Sequence, residues 1–176
     1  MMKKRTNKKR FTKQTVVYNR AVLSRIVKIF MNQVGANVSE ILQHKLTDKY
    51  EGKCSVEGYI KPGSIQINDI SSGLVAANQV EFNVIFECMV CFPVEGMVLE
   101  CVAKNITKAG IRCNSTEEPS PLIVFISRDH HYSNDSFANI KEEQIIYVKV
   151  IGQRFELNDT HISIIGELVT KPELHI

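Results

Sequence analysis

Hydrophobic and polar positions alternate with a period of two along most of this chain, and the alternation is broken by glycine and proline at intervals that suit short strands. Ala21-Val22-Leu23-Ser24-Arg25-Ile26-Val27-Lys28-Ile29-Phe30-Met31 is rich in β-branched and aromatic residues in partial alternation, which predicts a strand, with a helix as the alternative. Gly35 breaks this pattern, and Asn37 or Ser39 can then cap a helix by accepting a hydrogen bond from a free backbone N–H. Val38, Ile41, Leu42, Lys45 and Leu46 follow at the three-and-four spacing of an amphipathic helix that runs to about Tyr50 and ends at Gly52. Cys54 to Ile60 predicts a short strand, and Lys61-Pro62-Gly63 a turn in which proline presets φ and glycine supplies a positive φ. Ser64 to Ile70 alternates cleanly, Ser71-Ser72-Gly73 turns, and Val80 to Phe86 is a further strand. One helix on a small antiparallel sheet is the economical packing of these pieces.

Phe92-Pro93 marks a join, because proline cannot donate to a ladder and holds its predecessor in extended geometry. Beyond it the pattern predicts strands at Glu95 to Ile106, Ile111 to Asn114, Leu122 to Ile126, Gln144 to Ile151 and His161 to Leu168. Lys108-Ala109-Gly110 turns between the first two, and Leu157-Asn158-Asp159 between the last two. Ser127 to Lys141 is polar and predicts a surface loop holding His130 and His131. Five strands with a longer excursion between the third and fourth suit an OB-type barrel. The expected fold is therefore α+β, mostly β: a basic tail at 1–14, an N-terminal domain at 15–91, a barrel at 92–170 and a short tail at 171–176.

Composition narrows the chemistry. The formal charge of +3 conceals an asymmetry, since 7 of the 22 basic residues lie in the first 13 positions, leaving 15 basic against 19 acidic in the body. A body of net negative charge cannot hold nucleic acid through bulk charge, because that affinity comes from neutralising phosphates, so any RNA contact must be a local patch. The tail has no apolar segment of the kind a signal peptide carries. No run approaches the roughly 18 apolar residues of a membrane span, and the expectation is a soluble, intracellular protein that does not engage membranes. Cys88 and Cys91 form a C-x-x-C, but they lie in an apolar strand-type run where residues three apart point to opposite faces, and no second ligand pair follows. Reduced, partly buried thiols are expected, with no metal and no cofactor. No Gly-rich phosphate loop, nucleophile-base motif or paired metal-ligand set suggests an enzyme.

In this order and spacing, Glu51-Gly52-Lys53-Cys54-Ser55 with Gly58-Tyr59-Ile60, Phe92-Pro93-Val94-Glu95-Gly96, Lys108-Ala109-Gly110, Phe125-Ile126-Ser127-Arg128, and Val150-Ile151-Gly152-Gln153-Arg154 through Asn158-Asp159 to Ile165-Gly166-Glu167-Leu168 form a pattern. It resembles the larger stalk subunit of archaeal and eukaryotic-type DNA-directed RNA polymerases, the seventh subunit of polymerase II and its archaeal counterpart. The resemblance covers about Leu23 to Val169. It implies a noncatalytic subunit acting in transcription, whose N-terminal tip domain docks on the polymerase core near the clamp while the barrel contacts nascent RNA at the exit path. It also implies a smaller helical stalk partner. The extra basic tail, the divergent body and the absence of a long tip loop suggest a version from a large DNA virus, placed in the virion and host cytoplasm; a cellular version would be nuclear.

The RNA-binding candidates are Lys104, Lys108, Arg112, Phe125, Arg128, His130, Lys149 and Arg154, and the core-docking candidates are Lys61, Pro62, Gly63, Ile65 and Ile67. Barrels of this type often place exposed aromatics on the second and third strands, on which bases can stack, whereas the second strand here carries Ile111, Arg112 and Cys113. Phe125 sits in an apolar run that favours the core over a base platform. A free-standing OB-fold RNA-binding protein of translation or RNA decay is the alternative function.

Overall fold

The structure is a computed structural model that describes residues 17–131 and 135–170, so the basic tail and the C-terminal tail lie outside the described residues. The first lobe comprises β1 (Tyr18–Phe30), α1 (Val38–Tyr50), β2 (Cys54–Ser55), β3 (Gly58–Ile60), β4 (Gln66–Ile70), β5 (Leu74–Ala76) and β6 (Gln79–Cys91). The second comprises β7 (Val98–Ile106), β8 (Gly110–Ser115), β9 (Leu122–Ser127), α2 (Asp135–Ala138), β10 (Ile145–Arg154) and β11 (Ile162–Val169).

β1 and β6 pair antiparallel over their whole length, from Tyr18 opposite Cys91 to Phe30 opposite Gln79. The period-two pattern decides what each face does. Ile29, Val80, Val84, Phe86 and Cys88 are buried with Ile60, while Val22, Ile26 and Phe30 are exposed on the other face of the sheet. α1 covers the buried face with Leu42 and Leu46, each fully removed from water and each contributing about 2 kcal/mol of transfer free energy. Two side chains fasten the helix to the sheet: Gln43 Nε2 donates to the Ile65 carbonyl at 2.9 Å and Lys45 Nζ to the Lys28 carbonyl at 2.9 Å. Asn37 occupies the N-cap position, but its side chain makes no cap hydrogen bond; its carbonyl accepts from Ile41 N–H instead.

The second lobe is a closed barrel in the order β10-β11-β9-β8-β7. All its pairings are antiparallel except β9 with β11, which run parallel. Leu99, Cys101, Ala103, Ile111, Cys113, Leu122, Val124, Ile126, Val148, Val150, Ile162 and Ile164 fill the interior, one from every second position of each strand. This is the five-stranded OB-type barrel beside a helix-covered sheet that the pattern predicts.

Three local expectations give way. Cys54 to Ile60 is not one strand but two short ones folded back at Val56-Glu57, with Cys54 opposite Tyr59. β5 pairs with β6 in a segment between the Gly73 turn and the Val80 strand to which the pattern assigns no strand. The excursion after β9 is not a plain surface loop, because it carries a 3-10 turn at Asp129–His131 followed by α2, and His131 is buried.

The lobes share a core. Tyr18, Cys54, Tyr59 and Cys91, all from the first sheet, pack into the same apolar cluster as the barrel interior. The tip of the β10–β11 hairpin closes the seam with main-chain bonds, Asn158 N–H to the Cys54 carbonyl at 2.9 Å and Cys54 N–H to the Asp159 carbonyl at 2.8 Å. Asp159 shapes that tip by accepting from Glu156 N–H at 2.7 Å. Phe92 and Phe155 meet edge to face at 6.1 Å between centroids. Pro93 thus marks the point where the chain leaves one sheet for the other across a packed seam.

Candidate nucleic-acid interface

Register decides which of the candidate RNA contacts meet. Arg112 on β8 lies opposite Asn105 on one side and Phe125 on the other, and Phe125 in turn lies opposite Ile165 of β11. Alternation sends all of these to the outside of the barrel, since their neighbours Ile111, Cys113, Val124 and Ile126 point in. Phe125 is 39% exposed, which corrects the expectation that it belongs to the core. Its ring lies over Gly110, where a Cβ would come within 2.9 Å of the ring's Cζ. The absence of a side chain at 110 gives the aromatic its seat.

At the end of this face the β7–β8 turn meets the end of β9. Ile106, Thr107, Lys108 and Arg128 line a shallow depression there. Arg128 N–H donates to the Ala109 carbonyl at 3.0 Å and its guanidinium donates to the Thr107 carbonyl at 3.1 Å, so the side chain bridges the turn. Lys108, Arg112 and Arg128 are exposed, and among the described residues no salt bridge neutralises them. Lys104 lies on the same side of the barrel, but Glu143 takes its ammonium at 2.9 Å. His130 is exposed on the 3-10 turn that follows Arg128.

The remaining two candidates fall elsewhere. Lys149 is half-buried on β10 opposite Glu167, and Arg154 at the far end of the same strand pairs with Glu156 at 3.2 Å. A single cationic and aromatic face is therefore made by Lys108, Arg112, Phe125 and Arg128, with Lys104 and His130 at its margins. Fixed cations beside an exposed ring are the elements by which single-stranded nucleic acid is held without sequence readout, through phosphate contacts and base stacking.

The docking candidates do not form a projecting tip. Ile65 is buried in the first lobe's core and Ile67 is half-buried. Lys61 sits at the seam, with its ammonium 4.8 Å from the Tyr18 ring centroid and 3.8 Å from Glu117 of the barrel. Only Pro62 and Gly63 are exposed, and Gly63 N–H is already bound to Glu51 at 2.7 Å. A different surface stands at the opposite end of β6, roughly 40 Å from the seam at about 3.3 Å per residue. There Phe30 and Met31 at the end of β1 and Leu74 and Val75 of β5 are exposed on the two strands that flank β6, with Met31 N–H bound to the Asn78 carbonyl at 3.0 Å.

The cysteines are all free and buried. Cys88 belongs to the first lobe's core and Cys91 to the barrel cluster, so the two members of the C-x-x-C face different interiors. Burial pushes the Cys54 and Cys88 thiols up to about 11 and those of Cys91 and Cys113 up to about 12, which keeps them protonated at neutral pH. Among the described residues no cluster of histidine, cysteine and carboxylate side chains forms a metal site, and no helix is long and apolar enough to cross a membrane.

No protein-family model matches the chain. It is 26% identical over 151 residues to DNA-directed RNA polymerase II subunit 7 of Arabidopsis thaliana, an alignment covering 77% of this chain and 84% of that protein. Against DNA-directed RNA polymerase II subunit RPB7 of Glycine max it is 26% identical over 163 residues, 84% of this chain and 89% of the relative. A protein of Acanthamoeba polyphaga mimivirus, provisionally named DNA-directed RNA polymerase subunit L376, is 24% identical over 173 residues, 89% of this chain and 84% of the viral protein. These alignments are too long to fall within either lobe alone, and the chain is a homologue of the subunit 7 proteins of RNA polymerase II.

Proposed function

We propose that this chain is the noncatalytic larger stalk subunit of a multisubunit DNA-dependent RNA polymerase and acts in transcription. The observation that carries the reading is that the likeness to subunit 7 proteins runs through both lobes and the seam between them. A shared barrel alone would suggest only a nucleic-acid module; likeness over the whole two-lobed bracket favours a common place in an assembly. Within that reading the face made by Lys108, Arg112, Phe125 and Arg128 contacts nascent RNA as it leaves the enzyme. The end of the first lobe where Phe30, Met31, Leu74 and Val75 are exposed docks on core subunits, because large apolar side chains left exposed together at one end favour a protein contact. A smaller stalk partner, where one exists, would share the outer surface of the bracket. The protein works inside the cell, and the likeness to a mimivirus protein favours a viral enzyme.

Copurification tests the assignment. A tagged chain expressed with its native neighbours is expected to bring down the large polymerase subunits. A clean monomer that binds RNA tightly without them, and does so with the first lobe altered, would overturn the reading in favour of a free-standing RNA-binding protein.

A further inference from the structure

The excursion between β9 and β10 holds the one buried histidine of the described residues, and both of its ring nitrogens are engaged. Nδ1 lies 2.8 Å from the Ser127 carbonyl, which can only accept, so Nδ1 carries the hydrogen and donates. Nε2 lies 2.9 Å from Leu168 N–H and accepts from it. His131 is thereby a neutral imidazole of one tautomer, joining the end of β9 to the end of β11. Its ring stacks on Phe137 with centroids 5.1 Å apart and planes 13° apart, and Phe137 is itself buried. The guanidinium carbon of Arg128 sits 5.5 Å from the centroid of that same Phe137 ring. Thus an exposed arginine of the candidate face rests on a ring whose orientation is set by a doubly hydrogen-bonded histidine.

We infer that the His131–Phe137 pair is a positioning device that holds the Arg128 guanidinium, together with the Lys108 turn it bridges, as a preformed contact for the phosphodiester backbone of single-stranded RNA. The inference rests on the RNA-contacting role proposed above. The chemistry favours phosphate over protein carboxylate as the occupant. Arg128 stands in a shallow, open depression with Lys108 beside it, and among the described residues its guanidinium makes one hydrogen bond, to Thr107, which leaves donors for a bidentate phosphate contact. A free arginine loses side-chain rotamer entropy when it binds. Stacking on a fixed ring and bonding to Thr107 remove much of that cost before RNA arrives. By this inference Phe137 and His131 do not touch RNA; they act through Arg128.

A double-mutant cycle separates positioning from plain stability. Binding of a short fluorescent single-stranded RNA is measured for the full chain and for Arg128→Lys, Phe137→Leu and the pair together, with thermal melting followed in parallel. Arg128→Lys keeps the charge and loses the planar fork, at an exposed site where folding is unaffected. Each single variant is expected to weaken binding several-fold, and the double variant to bind no more weakly than the poorer single one, because the ring serves only through the arginine. Phe137→Leu binding like the parent while still folded, or effects that simply multiply, would overturn the inference and leave RNA binding intact. If Phe137→Leu fails to fold, Arg128→Lys decides: binding equal to the parent excludes a preformed planar contact. A parent chain that binds no RNA in the assembled polymerase or alone overturns the RNA reading itself, and the inference with it.

Discussion

Two glycines show how differently single residues constrain this chain. Gly58 has φ +122°, and a Cβ there would stand inside van der Waals contact of the Cys91 carbonyl oxygen and 3.2 Å from the Phe92 Cβ, at the seam where β3 meets the end of β6. Gly96 has φ +86°, with nothing within 4 Å of the position a Cβ would take. Gly58→Ala combines an unfavourable backbone conformation with a clash against main chain, and is expected to cost more than about 3 kcal/mol. Gly96→Val meets only the conformational penalty, about 1 to 2 kcal/mol. Urea denaturation of the two variants checks the ranking, and equal midpoints would contradict it. Glu57 makes a second prediction at this scale. It accepts from Arg25 at 2.6 Å and from Ser55 at 2.9 Å, and the Arg25 bond in particular holds its carboxyl below the usual carboxylate range. A depressed value means the folded state prefers the ionised carboxylate, so its contribution is complete at neutral pH and fades as pH falls through and below the ordinary value of about 4. The site is partly exposed, which limits the effect to about 1 kcal/mol. Glu57→Gln is accordingly expected to be less stable than the parent at pH 7 and to approach it in acid, as measured by denaturation across pH.

At the scale of elements, β1 states the folding rule most clearly. Ile26 is 62% exposed and Ile29 is 1% exposed on the same strand, three residues apart and so on opposite faces. Ile29→Ala is expected to cost about 2 to 5 kcal/mol through lost transfer and a residual cavity, and Ile26→Ala less than about 0.5 kcal/mol. Comparable losses in the two variants would show that the outer face is covered in solution. The same period-two rule explains what was legible in the amino-acid order and what was not. β6 and the barrel strands other than β9 show it because one face is buried and the other wetter, and β4 shows it more weakly, with Ile67 and Ile70 half-buried. β5 is three residues long and exposed throughout, so burial leaves no imprint on it. β9 is apolar on both faces, with Ile123 and Phe125 outside and Val124 and Ile126 inside, and a continuous apolar run cannot say which side a ring takes. His131 and Phe137 lie in a polar stretch without periodicity, and their stack is made by tertiary contact alone. The convergence of Lys108, Arg112 and Arg128 likewise depends on strand register and a turn, which residue types along the chain do not encode.

For the whole molecule, the question is whether the two lobes act as one body, since a bracket that flexed at Pro93 could not hold the proposed RNA-contacting face at a defined distance from the proposed docking end. The seam is built against flexing. Its apolar side chains from both sheets form one cluster, so separating the lobes exposes Tyr18, Tyr59, Cys54 and Cys91 together with barrel residues. Its main-chain bonds tie β2 to the β10–β11 hairpin tip through Cys54, Asn158 and Asp159. Neither sheet can unfold without breaking both, which predicts a single cooperative transition in calorimetry with equal calorimetric and van't Hoff enthalpies. Amides of Cys54 and Asn158 should exchange with solvent only at the rate of global unfolding, although both sit in short or turning segments where local opening is the usual route. Asp159→Ala removes the side chain that accepts from Glu156 N–H and loosens the hairpin tip. It is expected to lower the melting temperature while the transition stays single, because the shared apolar cluster and the main-chain bonds of Cys54 remain. Two transitions in the unaltered protein would mean instead that the lobes are coupled only by the chain between them, and that the distance from the proposed docking end to the proposed RNA face is not set by this chain.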